Sequence, residues 1–307
     1  MNDTGDTADA STINRPLPFR NVVLLSYSVF PGGSHGETLS PEQASVLMNL
    51  DATSVFFEQH YSQNIRTPAD DLQTFGDAEL RQQFRLQMAE KQRQFQIISH
   101  SQLQTCSTDP GLIWCHADKP TDNNALNDAI SLITHIRSRT SERAALIVTA
   151  ARGTSKTRDD SPATGFTVDE PVHHTPLWID TGSKHPCRVQ ALSGSLDVLP
   201  TVFQMLTSDL LQTDESELAS RRCRSLCPLL TSPGLAWDRE VLIKAENYSA
   251  LRTKDFLIVR ERVADDQPAG SDHEDRPLRL YLKPEDYWNV HDQAGAYQRF
   301  LAELQLL

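Results

Sequence analysis

The sequence lacks long hydrophobic runs, closely spaced cysteines and clusters of positive charge. No apolar stretch reaches the roughly 18 residues that a membrane-spanning helix needs, and residues 1–16 have neither a basic segment nor an apolar one. Neither a membrane anchor nor a secretory signal peptide is therefore predicted. We expect a soluble cytoplasmic protein without a membrane partner.

Charge and cysteine usage narrow the class further. Lys and Arg number 29 against 41 Asp and Glu, which gives a formal net charge of −12. This balance disfavours nucleic acid, which proteins bind through clustered Lys and Arg. The five cysteines are odd in number, and none stands at the Cys-x-x-Cys spacing of zinc ribbons and redox motifs. The composition therefore predicts a globular chain in a reducing compartment, with no zinc or disulfide framework.

Hydrophobic patterning predicts parallel strands that alternate with helices. Continuous, β-branched apolar runs at 21–25, 95–99, 112–115 and 144–149 are typical of strands buried on both faces. Residues 77–93 are rich in Glu, Gln, Arg and Ala, which predicts a helix. Apolar residues recur at helical spacing at 126–136 and again at 196–211, where Asp197 and Pro200 mark the start. A polar loop is expected at 154–174 and a fifth strand at 176–179. The strand, helix, strand order indicates a parallel sheet with right-handed crossovers.

From residue 239 the pattern changes to short runs separated by turns. Runs at 239–245, 248–252, 255–260 and 278–282 predict an antiparallel meander, which an acidic loop interrupts before a final helix at 291–306. We therefore divide the chain into three parts. These are a disordered tail at 1–19, an α/β domain at 20–235 and an antiparallel subdomain at 236–307 packed on it.

Five segments carry a resemblance to a known family. They read Ala-Leu-Ile-Val-Thr-Ala-Ala-Arg-Gly at 145–153, His-Thr-Pro-Leu-Trp-Ile at 174–179, Leu-Asp-Val-Leu-Pro-Thr at 196–201, Arg-Ser-Leu-Cys-Pro-Leu-Leu at 224–230 and Leu-Tyr-Leu-Lys-Pro-Glu at 280–285. In this order they resemble the sulfatases, a branch of the alkaline-phosphatase-like hydrolases. The resemblance implies an α/β fold with a mixed, mostly parallel sheet between helices, a small C-terminal antiparallel sheet and a terminal helix.

The resemblance also implies a chemistry that this sequence does not match. Sulfatases hold calcium with an Asp pair after the first strand and with Asp plus Asn or His after the Thr-Ser strand, beside a nucleophile made from a cysteine. Here those positions carry Ser28 and Val29, then Ala151 and Arg152. Residues 65–94, where the nucleophile motif belongs, contain no cysteine and no serine. We therefore expect no cofactor, and a protein that has lost catalysis and acts by binding.

The expected ligand is an anionic, sulfated or phosphorylated small molecule, or a protein partner. The alternative is an active sulfate- or phosphate-ester hydrolase whose metal ligands have moved to Asp159 or Asp160 with His173 or His174. A third hypothesis is a relative of the phosphomutases or nucleotide pyrophosphatases. It needs two metals and a Ser or Thr nucleophile, for which the sequence has few His and Asp at strand ends.

Several smaller groups could bind a metal or an anion, and for each a plain structural role is favoured. His173, His174 and His185 lie near Lys184, but they are more typical of a solvated loop. His174 and Lys184 stay as secondary candidates. The remaining alternatives are these: a surface loop for Asp159, Asp160, Asp169 and Glu170, a surface pair for Arg152 and Arg188, and a strand-end cysteine for Cys115 in Cys-His-Ala-Asp-Lys at 115–119.

Overall fold

The fold is built on a seven-stranded sheet between two layers of helices. The structure is a computed structural model and describes residues 18–29, 41–63, 75–76, 78–106, 109–117, 123–139, 143–153, 170–183, 185–210, 223–245, 248–261, 278–286 and 289–304. The first nine strands are β1 (Asn21–Val29), β2 (Val55–Phe57), β3 (His60–Tyr61), β4 (Gln94–Ser99), β5 (Gly111–Ala117), β6 (Ala144–Arg152), β7 (Leu177–Asp180), β8 (Cys187–Val189) and β9 (Ser193–Gly194).

The strand order in the central sheet is β4-β5-β1-β6-β7-β2-β8. Neighbouring strands run parallel except at β7, which is antiparallel to both β6 and β2. The prediction of a mixed, mostly parallel sheet is thus confirmed. Strands β3 and β9 form a separate short parallel pair beside it.

Helices cover both faces of the central sheet. The helices of the described residues are α1 (Pro41–Thr53), α2 (Ala78–Glu90), α3 (Asn123–Arg139), α4 (Glu170–His173), α5 (Val198–Thr207), α6 (Cys227–Thr231) and α7 (Gln298–Leu304), with short 3-10 turns at His100–Thr105 and Ser195–Asp197. Of these, α2 and α5 lie on one face of the central sheet and α1 and α3 on the other. Successive residues of a strand point to opposite faces. Accordingly Leu24 packs in one apolar cluster with Phe84 of α2, whereas Leu25 packs in another with Ile133 of α3. Burial on both faces explains the continuous apolar runs.

The C-terminal sheet is an antiparallel meander, as predicted. Its strands are β10 (Val241–Lys244), β11 (Tyr248–Arg252), β12 (Phe256–Glu261) and β13 (Arg279–Leu282), paired in that order. Their apolar face shares one cluster with Tyr61 and Leu192, which follow β2 and β8. The small sheet therefore packs against the loops at one edge of the central sheet.

The final helix is shorter than the predicted 291–306. Before α7 the chain is held to β13, because Asp292 Oδ1 accepts from the backbone N–H of Leu280 and the N–H of Gln293 donates to the Leu280 carbonyl. These bonds replace the helical ones that the apolar spacing suggested. At the other end of the chain, residues 1–17 of the expected tail lie outside the described residues, while Phe19 is buried in the core.

Two observations bear on membranes and redox state. None of the helices that the structure describes is both long and apolar enough to cross a bilayer. All five cysteines lie in the described ranges, and no disulfide joins any of them.

Candidate functional site

The carboxyl ends of three neighbouring strands meet at one edge of the central sheet. Strand β1 lies between β5 and β6, and the three run parallel, with Val29 in register with Arg152 and Tyr27 in register with Ala117. In open α/β sheets this is the edge where ligands bind, because the loops that follow parallel strands converge there. We call it the carboxyl edge.

Three of the predicted site residues have side chains that the structure describes at the carboxyl edge. Ser28 and Ala151 are buried and Arg152 is partly buried. The carbonyl of Ala151 accepts a hydrogen bond from the Ser62 hydroxyl, which joins β6 to the segment after β3. For Val29 only the backbone is described, and Lys184 lies outside the described residues.

Arg152 is a cation without a counterion among the residues that the structure describes. Among the described residues no carboxylate or carbonyl accepts a hydrogen bond from its guanidinium, and its Nε is buried without a partner. The guanidinium carries five N–H donors and stays charged at any ordinary pH. A buried donor without an acceptor is costly, so this group favours an oxyanion at the carboxyl edge.

A chain of hydrogen bonds joins strands β1 and β5 near the carboxyl edge. The indole Nε1 of Trp114 is 2.8 Å from Ser26 Oγ, which is 2.9 Å from Nδ1 of His116, and His116 Nε2 is 3.2 Å from Ser28 Oγ. This group was not predicted from the sequence, where His116 stood out only as part of Cys-His-Ala-Asp-Lys at 115–119. The spacing of Ser26 and Ser28, two residues apart on a strand, was the available signal that they share a face.

The described side chains at the carboxyl edge do not fit a calcium ion. Calcium takes six to eight hard oxygen ligands, mostly carboxylates and carbonyls. Here a methyl group, a hydroxyl and an imidazole stand beside a permanently charged guanidinium, which would repel a dication. No group of three or more His, Cys, Asp or Glu suited to a metal occurs in the described ranges. Asp159, Asp160 and Asp169 lie outside them.

A polar cleft lies near the carboxyl edge, between the end of β2 and the C-terminal sheet. Its volume is about 350 Å³. The described residues that line it are two glutamines, two carboxylates, two cations, an aromatic pair and a proline: Gln59, Gln190, Glu58, Glu170, Arg252, Lys283, Tyr61, His174 and Pro284. His174 is thus brought to a cleft, with its Nε2 donating to the Glu58 carbonyl at 2.6 Å and its ring tilted against Tyr61.

The cleft floor is a buried ion-pair group, which corrects the expectation of a surface loop at Glu170. Glu170 Oε2 is 3.0 Å from Lys283 Nζ, and Oε1 accepts a 2.7 Å hydrogen bond from the Tyr61 hydroxyl. Arg252 Nε lies 3.5 Å from Oε1. Burial raises the pKa of Glu170, but Lys283 and Arg252 more than offset this and hold it below its usual value. Glu170 therefore sits in α4 as a charged interior group.

The predicted histidine cluster is also divided by the fold. His173 is buried, with Nε2 bonded to the Tyr248 hydroxyl, whereas His185 is exposed before β8. A second buried histidine, His60, is bonded through Nδ1 to Ser193 Oγ at 2.9 Å. Burial lowers the pKa of His60 to about 3, with repulsion from His174 and Arg239 contributing. Burial likewise lowers the pKa of His173 to about 4, against the attraction of Glu170.

These two histidines predict a loss of stability on mild acidification. Their folded pKa values lie below the unfolded value of 6.5, so from pH 6.5 downward the unfolded chain binds protons that the folded chain does not. The free energy of unfolding should fall by on the order of 1 kcal/mol per histidine per pH unit, down to the folded pKa values. Urea titrations at pH 7.0, 6.0 and 5.5 measure how the free energy of unfolding changes with pH. These pH values lie above the range in which most carboxylates titrate. A His60→Gln variant with an unchanged slope would contradict the assignment.

The remaining sequence candidates lie apart from one another. Arg188 lies on β8, three strands beyond β6, and is level with Val148 of β6 because Val148 pairs with Trp178, Trp178 with Phe56 and Phe56 with Arg188. The backbone of Arg188 therefore lies about 14 Å from β6. It is also level with a residue four positions before Arg152, and so lies farther from the carboxyl edge. Arg188 is exposed and paired with Asp51 at 2.7 Å and Glu58 at 3.2 Å, so the expected surface pair with Arg152 is wrong. Cys115 is fully buried inside β5, facing the α3 layer.

No protein-family model and no curated protein matches the sequence significantly. Solved structures do match. The fold is similar to that of a candidate sulfatase from Bacteroides thetaiotaomicron, with a TM-score of 0.62, 10% identity and coverage of 94% of this chain and 91% of that one. For a protein of the alkaline phosphatase superfamily from Vibrio parahaemolyticus, the TM-score is 0.56 and the identity 14%, with coverage of 92% of this chain and 88% of that one. For a protein solved in complex with its substrate D-glucosamine-2-N,6-O-disulfate, the TM-score is 0.64 and the identity 9%, with coverage of 94% of this chain and 96% of that one.

Proposed function

We propose, on the premise that the chain has the sulfatase fold, that it binds a sulfated or phosphorylated small molecule at the carboxyl edge and does not hydrolyse it through calcium. The observation that carries this proposal is the guanidinium of Arg152. It lies where the resemblance expects a metal ligand, and no described residue neutralises it.

A cation at this place can take over one task of a metal ion but not the other. Arg152 attracts an oxyanion and can donate two parallel hydrogen bonds to it, which is the geometry that makes arginine the common partner of sulfate-like groups. It has no open coordination position, so it cannot bind and activate a nucleophilic oxygen. The site therefore keeps affinity for the anion without the metal's contribution to bond cleavage.

The ligands of two similar structures suggest the chemical class to test. One is in complex with its substrate D-glucosamine-2-N,6-O-disulfate and another with k-i-k-neocarrahexaose. The polar cleft beside the carboxyl edge presents amides, carboxylates and an aromatic pair, which suit the hydroxyl groups and faces of a sugar. A sulfated monosaccharide is accordingly our first choice of ligand.

The test is calorimetric binding of D-glucosamine-2-N,6-O-disulfate in the presence of EDTA. We expect wild-type protein to bind and Arg152→Gln to bind about 10- to 100-fold more weakly, because a charge-assisted hydrogen bond contributes about 1.5–3 kcal/mol. Arg188→Gln is the matched control. It removes an exposed arginine that already has two carboxylate partners, and should bind within about twofold of wild type.

Two outcomes would contradict the proposal. One is equal affinity of wild type and Arg152→Gln. The other is a requirement for added calcium, together with calcium-dependent turnover of an aryl sulfate, which would favour a hydrolase with displaced metal ligands. His173 and His174, which that hypothesis uses, are already bonded to the Tyr248 hydroxyl and the Glu58 carbonyl.

A second candidate function rests on one distance. Ser28 Oγ lies 3.2 Å from His116 Nε2, which is within reach of a nucleophile and its general base. The corresponding activity would be a metal-independent ester hydrolase. Turnover of an aryl sulfate or aryl phosphate in EDTA that is lost in Ser28→Ala would support it, and absence of turnover in wild type would remove it.

A further inference from the structure

The four polar groups that end at Ser28 have a definite direction of hydrogen bonding. They alternate between adjacent parallel strands, since Trp114 and His116 belong to β5 and Ser26 and Ser28 to β1. Trp114 and Ser26 are fully buried. An indole N–H can only donate, so the first bond of the chain runs from Trp114 to Ser26.

The second bond follows from the buried hydroxyl of Ser26. Among the described residues, the only acceptor within hydrogen-bonding distance of that hydroxyl is Nδ1 of His116. If the imidazole donated instead, the Ser26 O–H would be buried without a partner, at a cost of about 1–3 kcal/mol. The favoured arrangement therefore has Ser26 donating to an unprotonated Nδ1.

The direction of the third bond, between His116 and Ser28, then follows from the tautomer of the neutral His116 ring. With Nδ1 as an acceptor, the proton of His116 is on Nε2, and this N–H donates to Ser28 Oγ. Ser28 in turn keeps its own O–H as a donor. Each bond polarises the next, so the last hydroxyl is a stronger donor than an isolated serine.

We propose that Ser28 is a fixed hydrogen-bond donor to the oxyanion of the ligand and not a nucleophile. This inference rests on the proposed function, which places that oxyanion at the carboxyl edge. A nucleophilic serine must give its proton to a base, but here the histidine nitrogen that faces it already carries one. The direction of the chain therefore argues against the metal-independent hydrolase.

Ser28 and Arg152 can approach one oxyanion from two sides. Their strands are adjacent, and Val29, next to Ser28, is in register with Arg152, so the two backbones lie about 5–6 Å apart. Side chains alternate along a strand, which places Ser28 on the face of α2 and Arg152 on the face of α3. An oxyanion above the strand ends lies between these faces.

A site made of donors selects an oxyanion that carries no proton. A sulfate ester meets this condition at any ordinary pH. A phosphate monoester has its second pKa near 6 and is protonated on one oxygen in mild acid, and the Arg152 guanidinium, which has only donors, cannot accept a hydrogen bond from that O–H group. We expect the preference for methyl sulfate over methyl phosphate to be greater at pH 5.5 than at pH 8.

The first experiment determines the direction of the hydrogen bonds through the tautomer of His116. In protein labelled with ¹⁵N-histidine at pH 7.5, the His116 signals, assigned by their loss in His116→Gln, should show a bare Nδ1 and a protonated Nε2. Trp114→Phe removes the donor that fixes Ser26, and the tautomers should then mix. A protonated Nδ1 in the wild-type protein would overturn the inference.

The second experiment reads binding. Ser28→Ala should bind methyl sulfate about tenfold more weakly than wild type, while Ser54→Ala should bind normally. Ser54 is the matched control because it is equally buried but precedes β2, at the opposite end of the sheet. Unchanged affinity of Ser28→Ala beside a weakened Arg152→Gln would overturn this inference alone. Absence of oxyanion binding in the wild-type protein would overturn it together with the proposed function.

Discussion

Glu170→Gln should lower the free energy of unfolding by about 3–5 kcal/mol, which is the usual cost of removing one partner from a buried ion pair. Lys283 and Arg252 are 4% and 3% exposed, and both point at the Glu170 carboxylate. Glutamine keeps the shape of glutamate but not its charge. The variant therefore removes the carboxylate that faces both buried cations.

The hydrogen bonds that survive in this variant do not replace the charge. Lys283 Nζ also donates to the Asp286 carbonyl and to Asn289 Oδ1, each at 2.6 Å, but both acceptors are neutral. Burial lowers the pKa of Lys283, against the attraction of Glu170. Without that carboxylate, we expect Lys283 to lose its proton more readily, so the cost of the variant should shrink as the pH rises.

Glu58→Gln is the matched control for this prediction. Glu58 lines the same cleft, but its side chain is 30% exposed and its partner Arg188 is 61% exposed. Exposed pairs contribute about 0–1 kcal/mol, so this variant should unfold near the wild-type urea midpoint. If circular dichroism gave both variants the same midpoint, Glu170 would not be the charge that holds this group together.

The Glu170 group joins the carboxyl edge to the C-terminal sheet. Helix α4 is tied to the end of β6 because the Gly153 N–H donates to the Val172 carbonyl. Arg252 and Lys283, on the other side of the carboxylate, belong to β11 and to the turn after β13. A loss at Glu170 should therefore loosen both the carboxyl edge and the small sheet, and weaken sulfate binding in the folded fraction as well.

The fold could be predicted where burial is continuous or strictly periodic. The runs at 21–25 and 144–149 are apolar except for Asn21 and Thr149, because one face of β1 and β6 packs in a cluster with α2 and α5 and the other in a cluster with α1 and α3. Helix α1 was missed because its apolar spacing is weak, although Ser40, Pro41 and Glu42 form a typical helix start. The final helix was predicted too long because bonds to Leu280 lie far from it in sequence.

The candidate site could be predicted only in part, because some of its contacts join residues that are distant in sequence. The positions of Ser28, Ala151 and Arg152 followed from the ends of two apolar runs, which local pattern can locate. The bond from His116 to Ser28 joins residues 88 apart, and the pair of Lys283 with Glu170 joins residues still farther apart. Composition near Glu170 suggested a solvated loop, since the partners that bury it come from another sheet.

Asp197→Asn should be as destabilising as the change at Glu170, at about 3–5 kcal/mol. Asp197 is fully buried and accepts from three donors: Arg239 Nη2 at 2.6 Å and the backbone N–H groups of Arg224 at 2.7 Å and Gly194 at 2.8 Å. Burial raises the pKa of Asp197, and these donors oppose the rise. An asparagine amide group turned toward any of them replaces an acceptor with a donor.

Asp197 stands at the start of α5, as predicted, but its side chain does not cap that helix. It binds the end of β9, the segment before α6 and the segment before β10, which are otherwise distant in sequence. Asp209→Asn is the control, because Asp209 is 45% exposed and its ion-pair partner among the described residues is the exposed Lys91. If Asp197→Asn matched that control in urea unfolding, the three donors would be satisfied by a neutral acceptor. The carboxylate charge would then not be what holds the α/β core to the C-terminal sheet.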